Sequence, residues 1–190
     1  MDWARLGHKK VREDWRLTLM DRDAAKPGEM TPASYRALMR HQAGAVAVVA
    51  TICDGQRAGL TATAYSSLSD SPPTILVCVQ RRVGAHDLIS RSGIFSVNIL
   101  SADQQAVAEG FAGGSSARGE QRFEGQLWAR LETGAPILHN ALAALDCKLV
   151  ESHGFSTHTI FIGRVVDGVT RPEAEPLLYF RGDYWNIGER

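Results

Sequence analysis

The sequence is poor in cysteine. Its three thiols, Cys53, Cys78 and Cys147, lie far apart, each in an apolar run, and form no CxxC pair. That excludes a disulfide scaffold or a zinc ribbon and points to buried thiols in a reducing, cytoplasmic setting. There is no surplus of either charge: 21 Lys and Arg balance 21 Asp and Glu. The chain therefore lacks the electrostatic footprint of a nucleic-acid or anionic-membrane partner. No run approaches the roughly 20 apolar residues of a membrane-spanning helix. The opening MDWARLGHKKVRED is charged throughout, unlike a signal-peptide core. Also missing are GxGxxG after a strand, GxxxxGK[ST], HExxH and GxSxG, which removes the commonest ways of holding a nucleotide, a catalytic zinc or a serine nucleophile.

What is present fits one domain of 190 residues with an ordinary apolar content of 44%. Residues 1–30 read as an N-terminal extension, with Trp3, Leu6, Val11, Trp15 and Leu19 at helical spacing before the break at Pro27-Gly28. The main domain is expected over 31–190. Thr31-Pro32 has the form of an N-cap followed by proline at the first helical position, starting a helix that runs through Arg40. AVAVVATIC (45–53) is apolar on both alternations, as a strand buried on both faces would be. Asp54-Gly55 supplies a turn into the returning strand at 58–64. Further strands are expected at 74–80, 93–100, 144–152, 158–169 and 176–187. Helices are expected at 85–92 and 102–111, the second capped by Ser101, and 113–121 is expected to be a mobile loop, either folding over bound dinucleotide or serving as a disordered connection. Short strands of antiparallel character with helices outside them suggest a closed or partly closed β-barrel.

GLTATAYSSLSDSPPTILVCV (59–79) resembles the short-chain flavin reductase family. These are the FMN-binding split-barrel proteins that serve as reductase components of two-component flavin-dependent monooxygenases. LTATA is especially similar to the matching run in 4-hydroxyphenylacetate 3-monooxygenase reductases. The resemblance continues in order through GIFSVNILSADQQAVAEGFAG, Arg122-Phe123, PILHNALAALDCKLV, THTIFIGRV (157–165) and PLLYFRGDYWNI (176–187), covering about 31–188.

The resemblance implies a mainly β, Greek-key split barrel with peripheral helices. It implies a cytoplasmic homodimer that binds FMN or FAD near its interface and uses NADH or NADPH. The family positions that wrap the isoalloxazine and ribityl chain fall on Thr61, Ala62, Thr63, Ala64, Ser66 and Ser67. Those near the flavin phosphate fall on Gln80, Arg81, Arg82 and Val83, bordered by Phe111, Ala112 and Arg122. His158 matches the histidine on the nicotinamide side, here preceded by Thr157 where many relatives have aspartate. Tyr184 and Trp185 are expected to line the barrel or the cofactor edge, or else to pack in the core or an interface.

The residue chemistry agrees with that task. Hydride transfer between nicotinamide and flavin needs two stacked rings more than an acid or base. Alanines let the chain approach a flat ring, and small hydroxyls and backbone N–H groups bind it at roughly 0.5–1.5 kcal/mol per neutral bond. Arg81 and Arg82 offer charge-assisted forks, one of which is expected on the phosphate. His153 and His158 are five residues apart, but no cysteine or carboxylate stands at ligand spacing, so no metal site is expected. The leading reading is reduction of free flavin for a partner monooxygenase. The alternatives are a flavoprotein that keeps its flavin, and a flavin- or heme-binding module without turnover.

Overall fold

The computed structural model describes residues 28–187. The helix expected on Trp3 to Leu19 falls outside them. The chain divides into two compact units after Gln42. Helix α1 (Pro32–Met39) belongs to the first, and Thr31 caps it by accepting the Ser34 N–H at 3.1 Å.

Every strand among the described residues lies in the second unit. A seven-stranded antiparallel sheet has the spatial order β3-β2-β6-β9-β10-β5-β4. The strands, in chain order, are β2 (Ala47–Cys53), β3 (Gln56–Ala62), β4 (Tyr65–Asp70), β5 (Pro73–Gln80), β6 (Ile94–Ile99), β9 (Ala143–Phe155) and β10 (His158–Thr170). The edge strands β3 and β4 are consecutive in the chain, joined only by Thr63 and Ala64. Such a link spans roughly 10 Å at most. A sheet whose first and last strands are tied that closely must curl until its edges meet. The barrel is split where they meet, because β3 and β4 do not pair.

One apolar interior runs through this barrel. All seven strands contribute to it, among them Ala47, Val49, Val77, Val79, Phe95, Val97, Cys147 and Phe161, with Leu60, Ala62 and Tyr65 from the edges. Helix α2 (Gly84–Ser92) adds Ile89. The other face of β2, through Val48 and Ala50, joins an outer core with α3 (Gln105–Phe111), Phe123, Ile137 and Leu138. The two-faced apolar pattern of residues 45–53 has this cause. The run is not one strand, however. Gly44–Ala45 forms β1 and pairs with β11 (Leu178–Phe180), while Ala47 onward pairs with β3 and β6.

Other expectations change in detail. YSSLSD, too polar to signal a strand, is β4, an edge strand exposed at most positions. The stretch 176–187 holds two strands, β11 and β12 (Asp183–Trp185), turning at Arg181 and Gly182 with φ of 55° and 91°. The hairpin β7 (Trp128–Arg130) with β8 (Pro136–Leu138) gave no sequence signal. It is pinned by a buried network in which Asn98 Nδ2 donates to Val48 O at 3.1 Å and Asn98 Oδ1 accepts the Leu138 N–H at 2.8 Å. The helix expected over 102–111 begins as a 3-10 turn at Ala102–Gln104. Ser101 and Gln104 make a capping box there, ahead of α3.

Candidate functional site

A groove of about 790 Å³ follows edge strand β3 from the start of α2 to the end of α3. That is within the roughly 300–1,000 Å³ of small-molecule sites. Because the barrel is split, the unpaired edges of β3 and β4 leave backbone polar groups facing outward, as edge strands do. Ten expected site residues line the groove: Thr61, Ala62, Thr63, Ala64, Gln80, Arg82, Val83, Phe111, Arg122 and His158.

The groove residues are held from behind. Thr61 donates its hydroxyl to Ala108 O at 2.6 Å, which ties β3 to α3 and leaves the oxygen able only to accept from a ligand. Phe111 packs edge-on against Phe123 and Trp128, with ring centroids 5.0 and 5.7 Å away. Arg122 donates to Phe111 O at 2.7 Å and Ala117 O at 3.1 Å, neutralising the carbonyl end of α3. Burial, and then the neighbouring Arg118 charge, lower its pKa.

At the other end, Arg81 and Arg82 occupy the centre of the turn that follows β5, closed by the Val83 N–H donating to Gln80 O at 3.3 Å, and their side chains go different ways. Arg82 is exposed in the groove and has no hydrogen-bond or ion-pair partner among the described residues. Arg81 turns to the β9–β10 hairpin. Its Nε donates to Thr159 Oγ1 at 3.4 Å, and its guanidinium occupies the space a Cβ on Gly154 would need. His158 opens β10 opposite Gln80, with Nδ1 2.9 Å from the Thr157 hydroxyl and Nε2 without a partner among the described residues.

Four further expected residues lie off the groove. Ser66 and Ser67 are exposed on β4, Ser66 donating to Ser67 O at 3.2 Å. Ala112 faces a separate shallow depression beside Glu109 and Ser115. Tyr184 packs on the outer core, 5.4 Å from the Tyr179 ring, and burial raises its pKa. The groove is lined as well by residues outside that expected set, among them Arg57, Cys78 and Leu88, and by Arg118 from the 113–121 loop. Among the described residues no cluster of three or more metal-ligating side chains occurs, and no helix is long and apolar enough to cross a membrane.

The sequence profile described as "Flavin reductase like domain" matches residues 39–188. The chain belongs to that family. Among its flavin reductase-like relatives, the FMN reductase (NADH) RutF 2 of Methylorubrum extorquens is 41% identical over 156 residues, 82% of this chain and 90% of that protein. Among solved structures, BorF is the flavin reductase component of a bacterial two-component tryptophan halogenase. It superposes with a TM-score of 0.77 at 33% identity, covering 84% of this chain and all of that one. The NADH:FAD oxidoreductase SgcE6 of Streptomyces globisporus, solved with NAD and FAD fragments, gives a TM-score of 0.75 at 29% identity. It covers 82% of this chain and 92% of its own. The split barrel expected from the sequence is the fold of these flavin reductase-like proteins.

Proposed function

We propose that this chain oxidises NADH and reduces free flavin, FMN first, and releases the product to a partner monooxygenase. The observation that carries this reading is the open groove along the split edge, in a chain whose relatives are NADH-dependent FMN reductases. Its fit to a flavin rests on three features. Alanines 62 and 64 leave room for a flat ring, the unpaired strand edges offer backbone donors and acceptors, and Arg82 offers an uncommitted cation for the phosphate. Thr63, Ala64, Arg82 and His158 are exposed, which suits a flavin that exchanges with solvent.

When both cofactors are bound, the nicotinamide supplies hydride to the flavin ring, and that chemistry is theirs. The protein's part is to align them. In this reading His158 is held by Thr157 and turns its free Nε2 to the nicotinamide carboxamide. Replacing His158 with alanine then raises KM for NADH while kcat changes less, and an unchanged KM counts against the role. FAD is the second flavin to test, since a structural neighbour is an NADH:FAD oxidoreductase. A homodimer fits the large apolar side chains left in water: Leu68, Val150 and Phe155 are 51%, 52% and 81% exposed. The three free thiols suit a cytoplasmic location.

The deciding experiment mixes the purified protein with NADH or NADPH and with FMN or FAD, and follows the nicotinamide absorbance. Oxidation of NADH that depends on added flavin and saturates with it is expected. No oxidation in any of the four combinations overturns the proposal in favour of a binding module. Flavin that co-purifies in stoichiometric amount and survives dialysis favours a flavoprotein that keeps its cofactor.

A further inference from the structure

With Arg82 assigned to the flavin phosphate, a second set of cations remains in the same groove. Arg118 and Arg122 line it from the segment after α3, a different wall from the β5–α2 loop. Arg122 is largely committed to the carbonyls of Phe111, Ala112 and Ala117. Arg118 uses Nη1 on Ser115 O and Ala117 O, so its Nε and Nη2 remain without a protein acceptor among the described residues. The carboxylate nearest in sequence, Glu120, is not available to them. It accepts from the Arg57 backbone N–H at 2.9 Å, from Arg57 Nε at 2.9 Å and from Arg57 Nη2 at 2.6 Å.

Arg118 and Arg122 line one groove four residues apart in the chain, neither has an ion-pair partner among the described residues, and their like charges repel. An anion bound between them removes that repulsion and gains charge-assisted hydrogen bonds. A flavin monophosphate placed at Arg82 leaves this pair unused. A ligand bearing two linked phosphates has the second charge to reach it.

We infer that Arg118, backed by Arg122, forms a second anion subsite on the wall after α3 that takes the diphosphate of a dinucleotide. The inference rests on the flavin reductase reading of the groove and names the part of the ligand that this wall recognises. Two dinucleotides carry that group, FAD and NADH, and the test separates them.

Dissociation constants are measured for four ligands, FMN, FAD, NADH and reduced nicotinamide mononucleotide, with the wild type, Arg118→Ala and Arg118→Lys. Arg118→Ala is expected to weaken one dinucleotide by about five- to tenfold, the size of a lost solvent-exposed charged hydrogen bond, and its mononucleotide counterpart by less than twofold. Arg118→Lys restores part of the loss. Selective loss of FAD over FMN assigns the flavin diphosphate; selective loss of NADH over its mononucleotide assigns the nicotinamide one. Equal losses within both pairs, or no loss in any, overturn the subsite. Inorganic pyrophosphate gives a readout needing no variant. It is expected to compete with the affected dinucleotide on the wild type, and failure to compete also overturns the subsite. A wild type that binds neither flavin nor NADH overturns the functional reading itself, whereas a wild type that binds both and an identical Arg118→Ala overturn the subsite alone.

Discussion

Arg57 on β3 and Glu120 in the 3-10 turn after the 113–118 segment are joined by three hydrogen bonds, and Arg57 also lies 4.5 Å from the centre of the Phe123 ring. The pair fastens one wall of the groove to the strand that forms its floor. The hydrogen bonds from Arg57 hold the Glu120 carboxyl below the ordinary glutamate value. A carboxyl depressed in the folded state stabilises it fully above the ordinary glutamate range, and that contribution is lost as pH falls through the depressed value. Glu120→Gln should therefore lower stability by about 0.5–1 kcal/mol near neutral pH, the scale of a solvent-exposed pair. Thermal unfolding of the two proteins against pH checks this: the gap should close in acid. A gap that stays constant down to low pH would mean the charge of Glu120 is not what the pair uses.

Gly59 sits where α3 crosses β3. A Cβ built on it would lie 2.8 and 3.0 Å from Phe111 ring carbons and 3.1 Å from Val49 O. The ring is wedged between Phe123 and Trp128 and cannot yield cheaply. Gly59→Ala should cost about 1–3 kcal/mol by overpacking. Trimming the ring in the double variant with Phe111→Leu should cost less than the two single changes added together. Additive losses in denaturant titrations would show that the contact is not the cause.

Arg81 and Arg82 are adjacent in sequence and separate in role. Arg82→Ala should weaken FMN about tenfold and leave riboflavin, which lacks the phosphate, unchanged. Arg81→Ala should show no such difference between the two flavins, because its guanidinium lies against Gly154 and Thr159. Flavin fluorescence quenching reads both. The reverse pattern would return the phosphate to Arg81.

The thiols divide by environment. Cys147 is fully buried in the barrel, and burial, followed by the Asp146 charge, pushes its pKa up to about 12. Cys78 lines the groove. A thiol reagent should modify Cys78 and spare Cys147 in the native protein. Saturating FMN should slow labelling of Cys78 more than that of Cys53, as followed by mass spectrometry of the digested protein. Equal protection of both would place the flavin elsewhere.

Local chemistry was enough to read a good part of this protein from its residues in order. The almost wholly apolar run at 45–53 announced burial on two faces, Thr31-Pro32 and Ser101 announced helix starts, and Asp54-Gly55 announced a turn. Each signal comes from groups a few residues apart, whose geometry the chain sets by itself. The ordered run of motifs from LTATA onward pointed to the family, and with it to a split barrel.

Only the folded chain decided the rest. The polar β4 is a strand because β5 pairs with it, not because its own residues prefer extension. The division of labour between Arg81 and Arg82 follows from the turn after β5 and from the β9–β10 hairpin, where Arg81 lies against Gly154 and Thr159. The groove wall depends on Arg57 meeting Glu120 from 63 residues away. Contacts of that separation are set by how a seven-stranded sheet curls to bring two edges together, and no local pattern carries that information. The sequence by itself determined what the groove is made of; the closure of the barrel decided which of those side chains face into it.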